Sequence, residues 1–182
     1  MEFFRKGLEE SITLPEPPVM DQDEVEEVKV IVAARTMTDV RSIMNHDKVP
    51  FYAIRTYCQE HGLIFHDNEF EDIVNQSVPI IMHFKNKFDR RRPFVVDMNL
   101  NILPSSTNDT PSYPSGHSAQ SRLIARYVAG KFPEHEKELI IKGNECGYGR
   151  VQAGFHYPSD NEIGNLLGEK LYFMMNKANY EQ

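Results

Sequence analysis

Three polar clusters stand out in the sequence because each carries side chains suited to holding or attacking an anion. KNKFDRRRPF, residues 85–94, contains Lys85 and Arg92, and GYGRVQAGFHYPSD, residues 147–160, contains Arg150, His156 and Asp160. Between them lies YPSGHS, Tyr113 to Ser118. Lys85, Arg92 and Arg150 supply three fixed positive charges, two of them planar guanidinium forks that match phosphate oxygens. Ser115 and Gly116 open a helical run, where unpaired backbone N–H groups and the helix dipole favour an anion, and Gly116 lets the backbone come close. His117 and His156 can each serve as nucleophile or proton carrier, and Asp160, four residues after His156, can hold the other ring nitrogen. Each cluster alone also has a plain structural reading. Lys85 and the arginines suit a solvated helix end, Arg150 a surface ion pair, and Ser115 and Asp160 helix caps.

The elements that must position these residues read as helices, with no convincing strand. Residues 1–20 form an N-terminal extension ending in the proline-rich connector LPEPPV. Asp21 to Asn45 reads as one helix with acids at its start, and Val49 to Gln59 as another, stopped at Gly62. Phe70, Ile73, Val74, Ser77, Ile81, Phe84 and Phe88 make a single apolar stripe on a helix that Pro79 should kink and that should end before Pro93. Val95 to Pro114 is rich in turn formers, and a loop of that length in a small domain is often functional. Ser115 is the expected N-cap of a helix to about Lys131, burying Leu123, Ile124, Tyr127 and Val128. Pro133 suits the first turn of a helix through the Ile140 region. The last helix starts near Ser159 and Asp160 and should bury Ile163, Leu166, Leu167, Leu171 and Met174. No repeat or domain boundary interrupts residues 1–182, so one all-α domain is expected, a helical bundle with its polar motifs in 85–160.

Composition narrows the partners. The 182 residues suit one domain with a real core, and a net charge of −7 disfavours general binding to nucleic acid or anionic membrane. The longest apolar runs, such as VIVAA at Val30 to Ala34, fall far short of a membrane span, and no signal peptide is visible, so a cytoplasmic protein is expected. Cys58 and Cys146 make neither a disulfide framework nor a metal pattern and read as buried free thiols. The remaining histidines show no convincing ligand spacing, His61 and His66 near Asp67 being only a weak metal candidate.

The order and spacing of the three clusters resemble the signature of the type 2 phosphatidic acid phosphatase superfamily, which also holds the class A bacterial acid phosphatases and the vanadium haloperoxidases. Lys85, six residues, then Arg92-Pro93 match its first block, and Pro114-Ser115-Gly116-His117 its second. Arg150, five residues, His156, three residues, Asp160 match its third. One position departs: the family's Ser before the third-block arginine is Gly149 here. The flanks RPF, SYPSGHS and GYGRV look like the soluble acid phosphatase branch.

That resemblance implies an all-α fold of the acid phosphatase/vanadium haloperoxidase type and hydrolysis of soluble phosphomonoesters without a metal or other cofactor. It implies that His156 attacks phosphorus to form a phosphohistidine, that Asp160 aims it, and that His117 protonates the leaving oxygen. Residue types alone do not decide which histidine attacks. Lys85, Arg92, Ser115, Gly116 and Arg150 would bind the phosphate, and vanadate would inhibit as a transition-state mimic. The covalent intermediate also allows phosphotransfer to an alcohol, and soluble relatives suggest a homo-oligomer. The alternatives are a vanadate-dependent haloperoxidase, a lipid phosphate or pyrophosphate phosphatase, and a phosphate-binding module without turnover. A small-molecule phosphate ester is the expected partner; the natural substrate lies in pocket walls that no spacing rule reveals.

Overall fold

The computed structural model describes residues 2–19 and 21–175, and these form eight α-helices and no strand. They are α1 (Asp21–Ala33), α2 (Met37–Lys48), α3 (Tyr52–Glu60), α4 (Asp67–Phe88), α5 (Pro93–Val96), α6 (Gly116–Lys131), α7 (Glu136–Gln152) and α8 (Pro158–Met174). The all-helical class expected from periodicity is the one observed.

α6 is the axis of the fold. Ser118, Ala119, Ser121, Leu123, Ile124, Ala125, Tyr127 and Val128 are all buried, so this helix is enclosed on most of its surface by its neighbours α7 and α8. Close approach on both sides depends on two glycine pairs spaced one helical turn apart. On α7, a Cβ at Gly143 would lie 3.2 Å from the Ser121 carbonyl and one at Gly147 would lie 2.7 Å from Ser118 Oγ. On α8, a Cβ at Gly164 would lie 2.5 Å from the Ser115 carbonyl, and one at Gly168 equally near the Ala119 carbonyl. The two contacts on α8 are with backbone and cannot be relieved by a rotamer change, so α6 and α8 would have to separate. Gly168→Ala, distant from the polar clusters in sequence, is therefore expected to destabilise by about 2–3 kcal/mol despite alanine's better helix propensity. Thermal unfolding should show a midpoint lower by roughly 5–10 °C.

The main apolar core gathers Ile54, Phe70, Ile73, Phe84, Leu123, Ile124, Leu139, Leu167 and Leu171. The residues expected as an extension pack into it, because Phe3, Phe4, Leu8, Ile12 and Leu14 are buried there. A second cluster joins Val25, Val28 and Val32 of α1 to Val151 and Tyr157, which brings α1 against the α7–α8 connection. Cys58 and Cys146 are buried free thiols.

Several helix boundaries differ from the sequence reading, each for a local reason. The expected helix over 21–45 is two helices. Thr36 breaks it by starting α2 with a capping box: its hydroxyl accepts from the Asp39 amide at 3.2 Å while the Asp39 carboxylate accepts from the Thr36 amide at 2.7 Å. Arg35 is pulled aside to donate to the Gln152 and Asn101 carbonyls. α4 runs unbroken through Pro79, which is exposed, so the missing backbone bond lies on the solvent side. It ends at Phe88, before Pro93 as expected, where Asp89 adopts the left-handed conformation with φ 45°. Pro93 then begins the short α5, whose Val95 and Val96 fall in the stretch that reads as loop. α7 extends past Ile140 to Gln152, its glycines serving helix contact rather than turns. On α8, Leu167 and Leu171 are buried and Ile163 and Met174 half-buried, but Leu166 is exposed, since the face toward α6 is given to the glycines.

Candidate active site

All three polar clusters converge at the N-terminal end of α6. Ser115 caps that helix as expected, its Oγ accepting from the Ser118 amide at 3.3 Å, and the preceding Tyr113–Pro114 peptide is cis. The Ser115 amide donates to the Asp160 carbonyl at 3.0 Å, which pins the start of α6 to the first turn of α8. Between α7 and α8 the chain reverses at Gly154, whose φ of 82° and close approach to Ile102 suit only glycine. That turn delivers His156 to the same place.

A cavity of about 340 Å³ opens there, lined by Lys85, Arg92, Gly116, His117 and His156 together with Thr107, Asp109 and Thr110. Its outer wall on α4 is apolar, made by Val78, Ile81 and Met82. Five of the eight residues selected from sequence thus face the cavity. Ser115, Arg150 and Asp160 are buried behind it.

His156 and Asp160 form a buried dyad. The ring Nδ1 lies 3.1 Å from Asp160 Oδ2, and Nε2 lies 3.3 Å from a terminal nitrogen of Arg92. A guanidinium can only donate, so Nε2 must present a lone pair and the ring proton must sit on Nδ1, donated to Asp160. Burial, reinforced by Arg92, Lys85 and Arg150, holds His156 well below its ordinary pKa, so the ring is neutral. Asp160 is fully buried, and burial pushes its carboxyl up. Against that act Arg90, 2.7 Å from Oδ1, the Ser112 hydroxyl and the Tyr157 amide at 2.9 Å. With an arginine and three further donors aimed at it, the carboxylate is the form this environment holds.

The cations are equally buried. Lys85 is 4% exposed, and burial with Arg92 nearby lowers its pKa to about 7. Its ammonium donates to the Pro111 carbonyl at 2.5 Å and more weakly to that of Ser112. Arg92 donates to the Thr110 and Phe155 carbonyls at 2.7 and 3.0 Å, and its pKa too is lowered, to about 10, by burial and by Arg150. Arg150 stacks on Phe155 at 4.5 Å and is engaged by Thr107 and by Asp47 of α2. The loop over 97–115 therefore earns its length by supplying partners for all three cations. His117 is half-buried, its Nε2 3.3 Å from the Asp47 carbonyl, and burial followed by Arg150 drops its pKa to about 3. Burial first, and neighbouring positive charge second, explain all these depressions.

Sequence reasoning left Arg90 without a role, and the structure supplies one. Arg90 is 5% exposed and bridges Asp160 to Asp21 and Glu24 of α1, with Ser159 as a fourth partner, while its guanidinium stacks on Tyr157 at 3.9 Å. The signal was its position two residues before Arg92, which places both on one side of a non-helical segment and leaves Arg91 exposed. Asp47, Thr107, Thr110 and Ser112 carried no such signal. Tyr113, Phe155 and Tyr157, which flank the motifs, are wholly buried as packing. Gly149 lies against α2, where an added Cβ would meet Ile43 Cγ1 at 3.2 Å. Among the described residues no group of three or more His, Cys, Asp or Glu is placed to hold a metal ion.

Residues 73–180 match the PAP2 superfamily. The chain belongs to that superfamily. Every residue of the three clusters lies inside the matched stretch. Over 87 residues, 46% of this chain, the PAP2 protein is 38% identical to a non-specific acid phosphatase of Salmonella typhi, and the match spans 35% of that relative's length. Its fold is similar to Aquifex aeolicus LpxE, with a TM-score of 0.64 and 21% identity over 89% of this chain and 98% of the other. It is also similar to a transmembrane PAP2-type phosphatidylglycerolphosphate phosphatase of Bacillus subtilis, with a TM-score of 0.59 and 19% identity over 92% of this chain and 88% of the other. Among the described residues no helix is long and apolar enough to cross a membrane.

Proposed function

We propose that this PAP2 protein is a metal-independent phosphatase that hydrolyses phosphomonoesters through a phosphohistidine at His156. The observation that carries the reading is the His156 ring: Nδ1–H bound to Asp160, and a bare Nε2 beside Arg92 at the cavity wall. A neutral imidazole fixed in that tautomer is a nucleophile already aimed. The similarity to bacterial acid phosphatases supports the same chemistry.

The steps follow from the groups present. A phosphate dianion enters among Lys85, Arg92 and the N-terminus of α6 at Gly116, which offset the charge spread over its equatorial oxygens. His156 Nε2 attacks phosphorus as the ester oxygen leaves, and positive charge developing on the ring is met by the Asp160 carboxylate. His117 gives its proton to the departing oxygen, then takes one from the water that cleaves the P–N bond and regenerates Nε2. The fixed cations do electrostatic work that other phosphatases give to metals. His117 can donate only when charged. The arriving dianion provides that charge partner, so substrate binding should carry a proton onto the site.

Phosphate release from an aryl phosphate, assayed with a chelator present and across pH, tests the proposal. Turnover should persist in the chelator. Burial lowers the Lys85 pKa to about 7, so above that pH anion binding must also protonate it. The KM should accordingly rise with pH more steeply above about 7 than below it, by up to about a further tenfold per unit for the second proton taken up. No phosphate release under any of these conditions would overturn the proposal, and a KM that falls as pH rises would contradict the charge account.

A further inference from the structure

Arg150, which the signature assigns to the phosphate, is already paired with a carboxylate. One terminal nitrogen contacts Asp47 on the last turn of α2, and the other donates to Thr107 Oγ1 at 2.9 Å. Both side chains are buried, at 1% exposure for Arg150 and 9% for Asp47. Lys85 and Arg92, by contrast, hold neutral carbonyls or hydroxyls. Asp47 is fixed from behind by Ser105, whose hydroxyl donates to the same carboxylate oxygen at 2.6 Å. Burial opposes ionisation of Asp47, yet hydrogen bonds from Ser105 and Arg150 hold its carboxyl below the ordinary range, so it is an anion. Its backbone carbonyl also lies 3.3 Å from His117 Nε2. One residue of α2 therefore engages both a cation and a histidine of the cradle.

An independent feature seats α2 in that position. Ile43, one turn before Asp47, fits against Gly149, where a Cβ would approach it to 3.2 Å. Gly149 is the position at which this chain departs from the family's serine. A Cβ there would press Ile43 back by a few tenths of an ångström, so the glycine favours the close seat of α2 that brings Asp47 onto Arg150.

We propose that Asp47 is an internal competitor for phosphate: its carboxylate occupies an anion-binding edge of Arg150, and an incoming phosphate must displace it to complete the cradle. Return of Asp47 to Arg150 then helps expel product phosphate. The inference rests on the reading of the cavity as a phosphate site. It makes Asp47 a residue that weakens phosphate binding, whereas a residue that merely aims Arg150 would strengthen it.

Calorimetric titration of inorganic phosphate into the wild-type chain, Asp47→Asn and Ser105→Ala separates the two roles. Asp47→Asn removes the competing charge at nearly constant shape and should lower the Kd for phosphate by roughly tenfold, the scale of one charge-assisted hydrogen bond. Ser105→Ala loosens Asp47, and also Thr107 that it holds, without a direct contact to Arg150, and should lower the Kd by a smaller factor. Product inhibition by phosphate should strengthen in the same order. Unchanged or weaker phosphate binding in both variants, with melting temperatures at the wild-type value, would overturn the proposal. If Asp47→Asn does not fold, Ser105→Ala decides alone in the same sense. Binding by the variants but not by the wild type would support it in its strongest form. Absence of phosphate binding by all three would overturn the phosphate-site reading, and this inference with it.

Discussion

Replacing His156 by alanine is expected to cut turnover of an aryl phosphate by roughly 10⁴-fold or more while leaving the fold intact, the scale seen when an enzymatic nucleophile is removed. His156 is 2% exposed and its ring's polar contacts among the described residues are to Asp160 and Arg92, so its loss leaves a small polar space rather than a collapsed core. Phosphate should still bind, because Lys85, Arg92 and the α6 N-terminus are untouched. The informative pattern is therefore a lost kcat with phosphate affinity changed by only a few-fold. A variant that keeps near-wild-type turnover would remove His156 from the reaction and, with it, the proposed intermediate.

The second large effect is expected at Arg90, which does not face the cavity. It is a positioning residue: its guanidinium is the only cation paired with Asp160 among the described contacts, and three carboxylates share it. Arg90→Lys cannot keep three forked contacts with one ammonium, and Arg90→Ala leaves Asp160 and Glu24 without their buried counter-charge. We expect kcat to fall by about 10²–10⁴-fold, comparable to disabling the carboxylate that orients a catalytic histidine, with partial recovery in Arg90→Lys. Loss of a buried charge partner should also cost about 3–5 kcal/mol of stability. The pH profile distinguishes aiming from stability. Removing the positive neighbour raises the Asp160 pKa, so the carboxylate is lost sooner as pH falls and the acid limb of activity moves to higher pH. An acid limb that stays in place, with kcat lost only in proportion to unfolded protein, would reduce Arg90 to a structural ion pair.

How legible the site was depended on whether its parts announce themselves in one dimension. Helix starts with strong local chemistry were readable: Ser115 caps α6 as its sequence says, and the stripe from Phe70 to Phe88 lies on α4. Boundaries set by tertiary contact were not. The helix expected through the Ile140 region runs on to Gln152, where Gly143, Gly147 and Gly149 let it press on its neighbours. The two pairs, 143/147 and 164/168, each one helical turn apart, mark the faces that pack on α6. At the site, the ordered motifs named Lys85, Arg92, His117, Arg150, His156 and Asp160, all of which converge. What lay beyond reach were partners from α1, α2 and the 97–115 loop. Glu24 and Asp47 sit 66 and 103 residues from the arginines they hold, and only the folded chain brings them together.

The central claim is that phosphoryl transfer passes through His156. Its most direct test is the stereochemical course of transfer from a phosphate ester made chiral at phosphorus with oxygen isotopes. Two successive in-line displacements, first onto Nε2 and then onto the acceptor, predict overall retention of configuration. Inversion would mean that the acceptor attacks phosphorus directly, and would contradict the account.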